Sequence, residues 1–313
     1  MRLESTQVAL TPCAGYEETP LDDCIDRVLA ALAPRPTLNS ARVVLKPNLI
    51  TASRGILPCT QPAFILAAAR WFVDHGAQVR IGDSPAFGTA TSVLRALGIH
   101  DELCSLGVRI TDFKKVRTVQ LRSGTRARVA VDAMDCDLLV NLPRVKAHAQ
   151  TRVTLAVKNC FGCLVGLHKP RWHMMYGGKD GRFADLLVEL LDVLADSLTL
   201  VDGITAMDGT GPVHGRPFPL GITGASMNPV AMDRALLETI DLAPEKSPLM
   251  EACRAANIAG AHRADLSFPL AAPQELQAPD FTLPAKLNPV RFSVLRFFRS
   301  SLKRAAALAH RKQ

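Results

Sequence analysis

Between Lys146 and His173 the chain carries Lys146, His148, Lys158, Asn159, Cys160, Cys163, His168, Lys169 and His173, most of them set around the largely apolar run TRVTLAVKNCFGCLVGL. A lysine flanked by Ala-Val and Asn-Cys-Phe-Gly, as Lys158 is, loses water; desolvation lowers an ammonium pKa and makes the amine usable as a nucleophile or base. The plainer alternative is a lysine at an element end whose ammonium reaches solvent. His148 has the intrinsic pKa for acid–base work. Lys146, two positions earlier, shares its face in an extended segment and disfavours the imidazolium, which favours His148 as a neutral base.

His168 and His173, with Cys160 and Cys163 nearby, raise a metal site, but the spacing matches no zinc pattern, and one Cys-x-x-Cys pair is half of what zinc or an iron–sulfur cluster needs. The two cysteines read as core residues beside Phe161 and Gly162. Farther along, Asp202 ends an apolar run, and Asp208, Gly209 and Gly211 lie in a glycine- and proline-rich loop, GTGPVHGRPFPLG. There, backbone N–H groups could cradle an anion, and the carboxylates could hold a cation or hydroxyls. It is neither a Walker loop nor a dinucleotide fingerprint. Asp83, Ser84 and Asp233 stand near strand or helix ends and could be caps alone.

The elements that must position these residues follow from periodicity. Helices are expected over 22–34, 62–75, 88–98, 182–196 and 229–241. Strands are expected over 42–46, the stretch AQVRIGDSP, 108–111, 137–142, 198–202 and 219–226, with a hairpin over 116–132. Strand 42–46, helix 62–75 and the following strand form a βαβ unit. The expectation is an α/β fold: a mostly parallel sheet flanked by helices, in one lobe or two, with a basic C-terminal helix. Strands end in polar groups at Lys46 and Asn48, at Asp83 and Ser84, at Asn141 to Lys146, and at Asp202. Ligands of open α/β sheets sit beyond such carboxyl ends, so these segments are expected to converge on one pocket.

The domain extends over 1–268, a proline-rich linker over 269–286 and a basic amphipathic tail helix over 287–313. Of 313 residues, 48% are hydrophobic and 21% charged, a globular profile, and no apolar run is long enough to span a bilayer. The net charge of +8 comes largely from the Lys- and Arg-rich, acid-free stretch after Ala285. That tail suits an anionic membrane surface; nucleic acid is not the expected partner. The eight scattered cysteines are no disulfide framework, and the N-terminus shows no secretory pattern, so a cytoplasmic protein, in peripheral contact with a membrane or not, is expected.

Taken together, VVLKPNLI (43–50), IGDSP (81–85), VNLPRVKAH (140–148), LAVKNCFGCLVGLHK (155–169), LTLVDGITAMDGTGPVHG (198–215) and ASMNPVAMDRAL (225–236) resemble the domain-of-unknown-function 362 family, in the family's order. The family's ferredoxin-type module is missing, so an iron–sulfur cluster is not expected. More distantly the chain is similar to the nickel-pincer lactate racemases. That resemblance implies His148 as acid–base group and, ten residues on, Lys158 as the attachment point of a nickel-pincer nucleotide, with His173 near the place of a nickel-ligating histidine. Leu155-Ala156-Val157 stand where the racemases carry glycines.

The leading expectation is an enzyme, racemase-like or redox, acting on a small anionic molecule. His148, Lys158 and Lys146 carry the chemistry in this reading. Lys46, Asn48, Asp83, Ser84, Asn159, Lys169, Asp202, Asp208, Gly209 and Gly211 bind substrate or cofactor, and His173 and His168 are available to a divalent metal. The alternatives are a non-catalytic metal or cofactor carrier, and a membrane-surface or nucleic-acid protein acting through its tail.

Overall fold

The computed structural model describes residues 5–33, 37–51, 55–166, 168–177 and 181–287. It contains eleven strands: β1 (Ala9–Pro12), β2 (Arg42–Pro47), β3 (Gln78–Gly82), β4 (Arg109–Thr111), β5 (Val116–Gln120), β6 (Arg126–Ala130), β7 (Leu138–Leu142), β8 (Arg144–His148), β9 (Arg152–Thr154), β10 (Ser197–Gly209) and β11 (Gly215–Ser226). β5 and β6 form a separate hairpin. The other nine make one sheet in the order β1-β11-β10-β7-β2-β3-β4, with β8 beside the far half of β10 and β9 beside β8. From β10 to β4 neighbours are parallel. Strands β1 and β11 add an antiparallel margin. The expected mixed α/β architecture, mostly parallel and flanked by helices, is what forms.

The parallel strands alternate their buried residues between two cores. Val43 and Leu45 face a core shared with the helices Glu18–Ala30 and Pro62–Asp74, whereas Val44 faces the other, built around Ala156–Asn159, Arg182–Leu191 and Pro229–Thr239. This alternation decides where the polar strand ends point. Lys46 and Asn141 are register partners across β2 and β7, and Asn141 is paired with Thr199 of β10. By parity all three face the second core, under the short helix Ala156–Asn159. From β2 the sheet grows through β3 and β4 on one side and through β7 and β10 on the other, so Lys46 and Asn141 stand at the topological switch point.

Several regions differ from the sequence expectation, among them the helices His100–Ser105, His168–Tyr176 and Pro248–Ala255, which were not expected. β1 and the β8–β9 pair were not foreseen, because each is short and lacks clear alternation. The expected loop GTGPVHGRPFPLG is mostly strand: β11 begins at Gly215 and pairs with β10 through Pro217 and Pro219. Proline is tolerated there because β1 pairs only with residues 222–225, which leaves the other side of β11 without a ladder. The proline-rich stretch 269–286 is pinned to the domain. Ala271 N donates to Leu10 O, Gly209 N to Thr282 O and Arg152 Nη1 to Pro284 O, and buried Phe281 packs edge-on against Phe218. The expected tail helix lies, apart from Leu287, outside the described residues.

Asp202 serves the sheet, not a ligand. Its carboxylate accepts from Tyr16 Oη at 2.7 Å and from Gln61 N at 2.9 Å, and Arg144 Nη1 lies 3.7 Å away. Arg144 is itself buried and donates to the carbonyls of Thr205 and Cys59. Asp202→Ala removes the countercharge of a buried guanidinium and is expected to cost about 3–5 kcal/mol, read as a lowered urea midpoint. A variant as stable as wild type would refute the structural assignment.

Candidate functional site

The site is built where β2, β3 and β8 end. Lys46, fully buried, lies 3.0 Å from Asp83 Oδ1, donates to Pro47 O at 3.0 Å and approaches Asn159 Oδ1 at 3.4 Å. Asp83 Oδ2 accepts from Leu49 N. Asn159 returns its amide to Asn141 Oδ1 at 2.8 Å and to Lys46 O at 3.3 Å, and Asn141 donates to Ala156 O. This buried polar lattice ties the switch point to the short helix above it. Asp233 holds the helix start, accepting from Ala156 N at 2.6 Å and Val157 N at 3.2 Å; burial pushes its pKa up to about 8, against the lowering effect of those two bonds. Asp233 is a cap, the simpler of its two sequence readings.

Three more lysines surround this lattice. Lys146 donates to Asn48 Oδ1 at 3.1 Å and to Pro58 O at 2.7 Å, and burial lowers its pKa to about 7. Lys169 donates to Ser84 O, and burial lowers it to about 8. Lys158 is 7% exposed and, among the described residues, has no hydrogen-bond or ion-pair partner. Its ammonium rests against Phe161 and Phe183, 4.3 and 5.2 Å from the ring centroids. Burial first, and then the charges of Lys169, Lys146 and Lys46, lower its pKa to about 7.

The histidines adjoin this lysine. His173 packs edge-on against Phe161 at 5.1 Å and tilted against Phe183 at 4.8 Å, so it shares both rings with Lys158. Its Nδ1 lies 2.8 Å from Gln150 Oε1. His148 Nδ1 accepts from Gln150 N at 3.0 Å and Thr151 N at 3.2 Å. Burial, with Lys158 the next cause, holds both imidazoles neutral: His173 falls to about 3 and His148 well below its usual value.

Lys46, Asn48, Asp83, Ser84, Lys146, His148, Lys158, Asn159, Lys169 and His173 thus come together. Asp202 does not join them. Asp208 pairs with Arg216 at 3.1 Å. Gly209 sits at φ 91°, and a side chain on Gly211 would come within 1.7 Å of Ala147 O, so these glycines let the β10–β11 turn press on the strand end that carries His148. The orientation of the His168 side chain lies outside what is described. Among the described residues no three His, Cys, Asp or Glu side chains gather as a metal set. Burial raises both thiols, Cys163 to about 12, which keeps them protonated core groups. Gln150 and Phe183 escaped the sequence reading, and Gly162 was read only as a core neighbour of the cysteines; a Gln two residues after a His, or a Gly inside Cys-x-x-Cys, announces nothing more by itself. A surface cleft of about 460 Å³ lies elsewhere, lined in part by Arg122, Asp185 and Glu189.

The Domain of unknown function (DUF362) family model matches residues 43–238, which include every residue of this site. The chain belongs to that family. It is 38% identical over 264 residues to a thylakoid-associated protein of Synechocystis sp. (strain PCC 6803), covering 84% of this chain and 82% of that protein. Among solved structures, the lactate racemase apoprotein of Thermoanaerobacterium thermosaccharolyticum aligns with a TM-score of 0.45 at 14% identity, over 66% of this chain and 52% of the racemase chain.

A nickel-pincer nucleotide, implied by the sequence resemblance, does not fit the residues present: Lys158 Nζ rests against Phe161 and Phe183, and Leu155, Ala156 and Val157 beside it are buried apolar residues.

The tightest contact of the lattice is at Gly162. A Cβ there would stand 2.1 Å from Asp83 Oδ1 and 2.4 Å from Lys46 Nζ. Gly162→Ala must force the ion pair apart and is expected to cost about 1–3 kcal/mol in chemical denaturation. An unchanged midpoint would show that the pair is not held this closely.

Proposed function

We propose that this DUF362 protein is an enzyme that binds a small anionic molecule at the lysine cluster and acts on it with lysine and histidine groups. The observation that carries this reading is a charge imbalance. Lys46, Lys146 and Lys158 are buried, half-buried Lys169 adjoins them, and the carboxylate among them in the described residues, Asp83, is already engaged by Lys46 and Leu49 N. Uncompensated buried ammonium groups are costly, and an anionic ligand relieves that cost. Lys158, with no hydrogen-bond or ion-pair partner among the described residues, is the group left to meet it. The ligand's charge also opposes the lysine charges that add to burial in holding the histidines neutral, which makes an imidazole a better base once the site is filled.

The sign of the pH dependence follows. Lys146 and Lys158 have folded pKa values of about 7, below the ordinary lysine value, so they carry charge in the folded protein below that pH and lose it above. Anion affinity should therefore fall as pH rises through about 7. Calorimetric titration with inorganic phosphate and with oxalate should show a loss of about tenfold or more from pH ~6 to pH ~8.5 for a lost charge contact. Lys158→Met should remove the part of the pH dependence due to Lys158 and leave the part due to Lys146. Affinity that is flat with pH and indifferent to Lys158→Met would end this reading.

For localisation, we propose peripheral contact with an anionic membrane through residues 287–313. The basic charge of that stretch supports it, as does the thylakoid association in the relative's name. Among the described residues no helix is long and apolar enough to cross a membrane. Deleting 287–313 should abolish co-sedimentation with anionic vesicles; undiminished co-sedimentation would refute the assignment.

A further inference from the structure

His148 is the last residue of β8, and the chain turns immediately. The turn brings the N–H groups of Gln150 and Thr151 onto His148 Nδ1, at 3.0 and 3.2 Å. A ring nitrogen that accepts two N–H groups presents a lone pair, so the proton of this neutral imidazole is on Nε2. The side chain of the same Gln150 reaches the second histidine, its Oε1 2.8 Å from His173 Nδ1. An amide oxygen can only accept, so His173 carries its proton on Nδ1 and its lone pair on Nε2. Gln150 thus touches both rings, one through its backbone and one through its side chain. Its Nε2 is buried and, among the described residues, without a partner, which is rare for a buried donor. The packing around it is tight: a Cβ on Gly177 would stand 2.9 Å from that nitrogen and 2.1 Å from His173 O.

We propose that Gln150 is a positioning residue that holds His148 and His173 in opposite tautomers, so that the site offers one imidazole N–H, from His148, and one imidazole lone pair, from His173. The assignment rests on the lysine cluster being a ligand site. It also changes the role of His148, which the sequence suggested as a base. Its Nδ1 lone pair is occupied by the backbone and its Nε2 carries hydrogen, so it polarises an oxygen of the ligand as a neutral donor. The base is His173, which shares Phe161 and Phe183 with the free ammonium of Lys158. An anion that fits has an acceptor oxygen for His148 and a hydrogen that His173 can attract.

Long-range ¹H–¹⁵N correlation spectra of the ¹⁵N-labelled full chain read the tautomers directly, with His148→Gln and His173→Gln used to assign the signals. Wild type should show His148 with an Nε2–H pattern and His173 with an Nδ1–H pattern. In Gln150→Leu the His173 signals should move toward the Nε2–H form while His148, held by backbone, stays. Gln150→Glu, which keeps an accepting oxygen, should restore the Nδ1–H pattern, and it decides the matter if the leucine variant does not fold. Identical tautomers in wild type, or a His173 signal indifferent to Gln150→Leu, would overturn the proposal. Protein with opposite tautomers that binds neither phosphate nor oxalate would overturn the anion site alone. Protein that binds them with identical tautomers would overturn the tautomer arrangement alone.

Discussion

The buried ion pair of Lys46 and Asp83 is the constraint on which the site depends. Each residue ends one of two neighbouring parallel strands, and neither can be left in the interior without the other. Their contact closes the carboxyl ends of β2 and β3, and Gly162 is required for the overlying turn to come so near. The pair also sets the electrostatics of everything around it. With Asp83 paired to Lys46, the direct partners of Lys146, Lys158 and Lys169 among the described residues are carbonyl oxygens, an amide and aromatic faces, while Asp83 acts on Lys146 and Lys169 as a neighbouring charge.

Lys158 sits on a helix of only four residues, Ala156–Asn159, far too short to persist alone. It is held at both ends by tertiary contacts. Asp233 accepts from the first two N–H groups, Asn141 donates to Ala156 O, and Asn159 locks back onto Asn141 and Lys46. The position of the free ammonium is thus fixed by residues from β2, β7 and the helix Pro229–Thr239. A polar lattice of this kind is committed to holding geometry, and in the proposed reading Lys158 is the group that meets a ligand.

The histidines show how backbone and side chain divide one task. The turn after β8 determines one ring through main-chain N–H groups, which a substitution cannot easily remove. A side-chain amide determines the other. The glycine-rich turn between β10 and β11, which by composition resembled an anion cradle, instead braces the strand end beside His148 through the close approach of Gly211 to Ala147. Its glycines serve packing.

Much of the fold was legible in the sequence because it rests on local periodicity. The βαβ unit, the run Leu138–Leu142 and the helices at 62–74, 182–191 and 229–239 follow from apolar spacing, Pro at helix starts and Gly past helix ends. The cluster Lys146–His148–Lys158–Lys169–His173 was legible too, since polar residues interrupting an apolar run stand out, and the motifs placed the chain in its family. What the linear pattern could not supply was pairing. Asp83 and Asp202 look alike, each a carboxylate at the end of an apolar strand. Yet one meets Lys46 and the other Tyr16 and Arg144: Asp83 lies just past the end of β3, where alternation no longer sets the direction, whereas Asp202 is held inside β10. Gln150 carries no signal of its own; its meaning comes from two histidines 25 residues apart in the chain that it contacts at once. Sequence decides which groups must be buried and where strands and helices can form. Which of those groups meet is decided by the order of strands in the sheet, because contacts between distant segments are set by packing rather than by local preference.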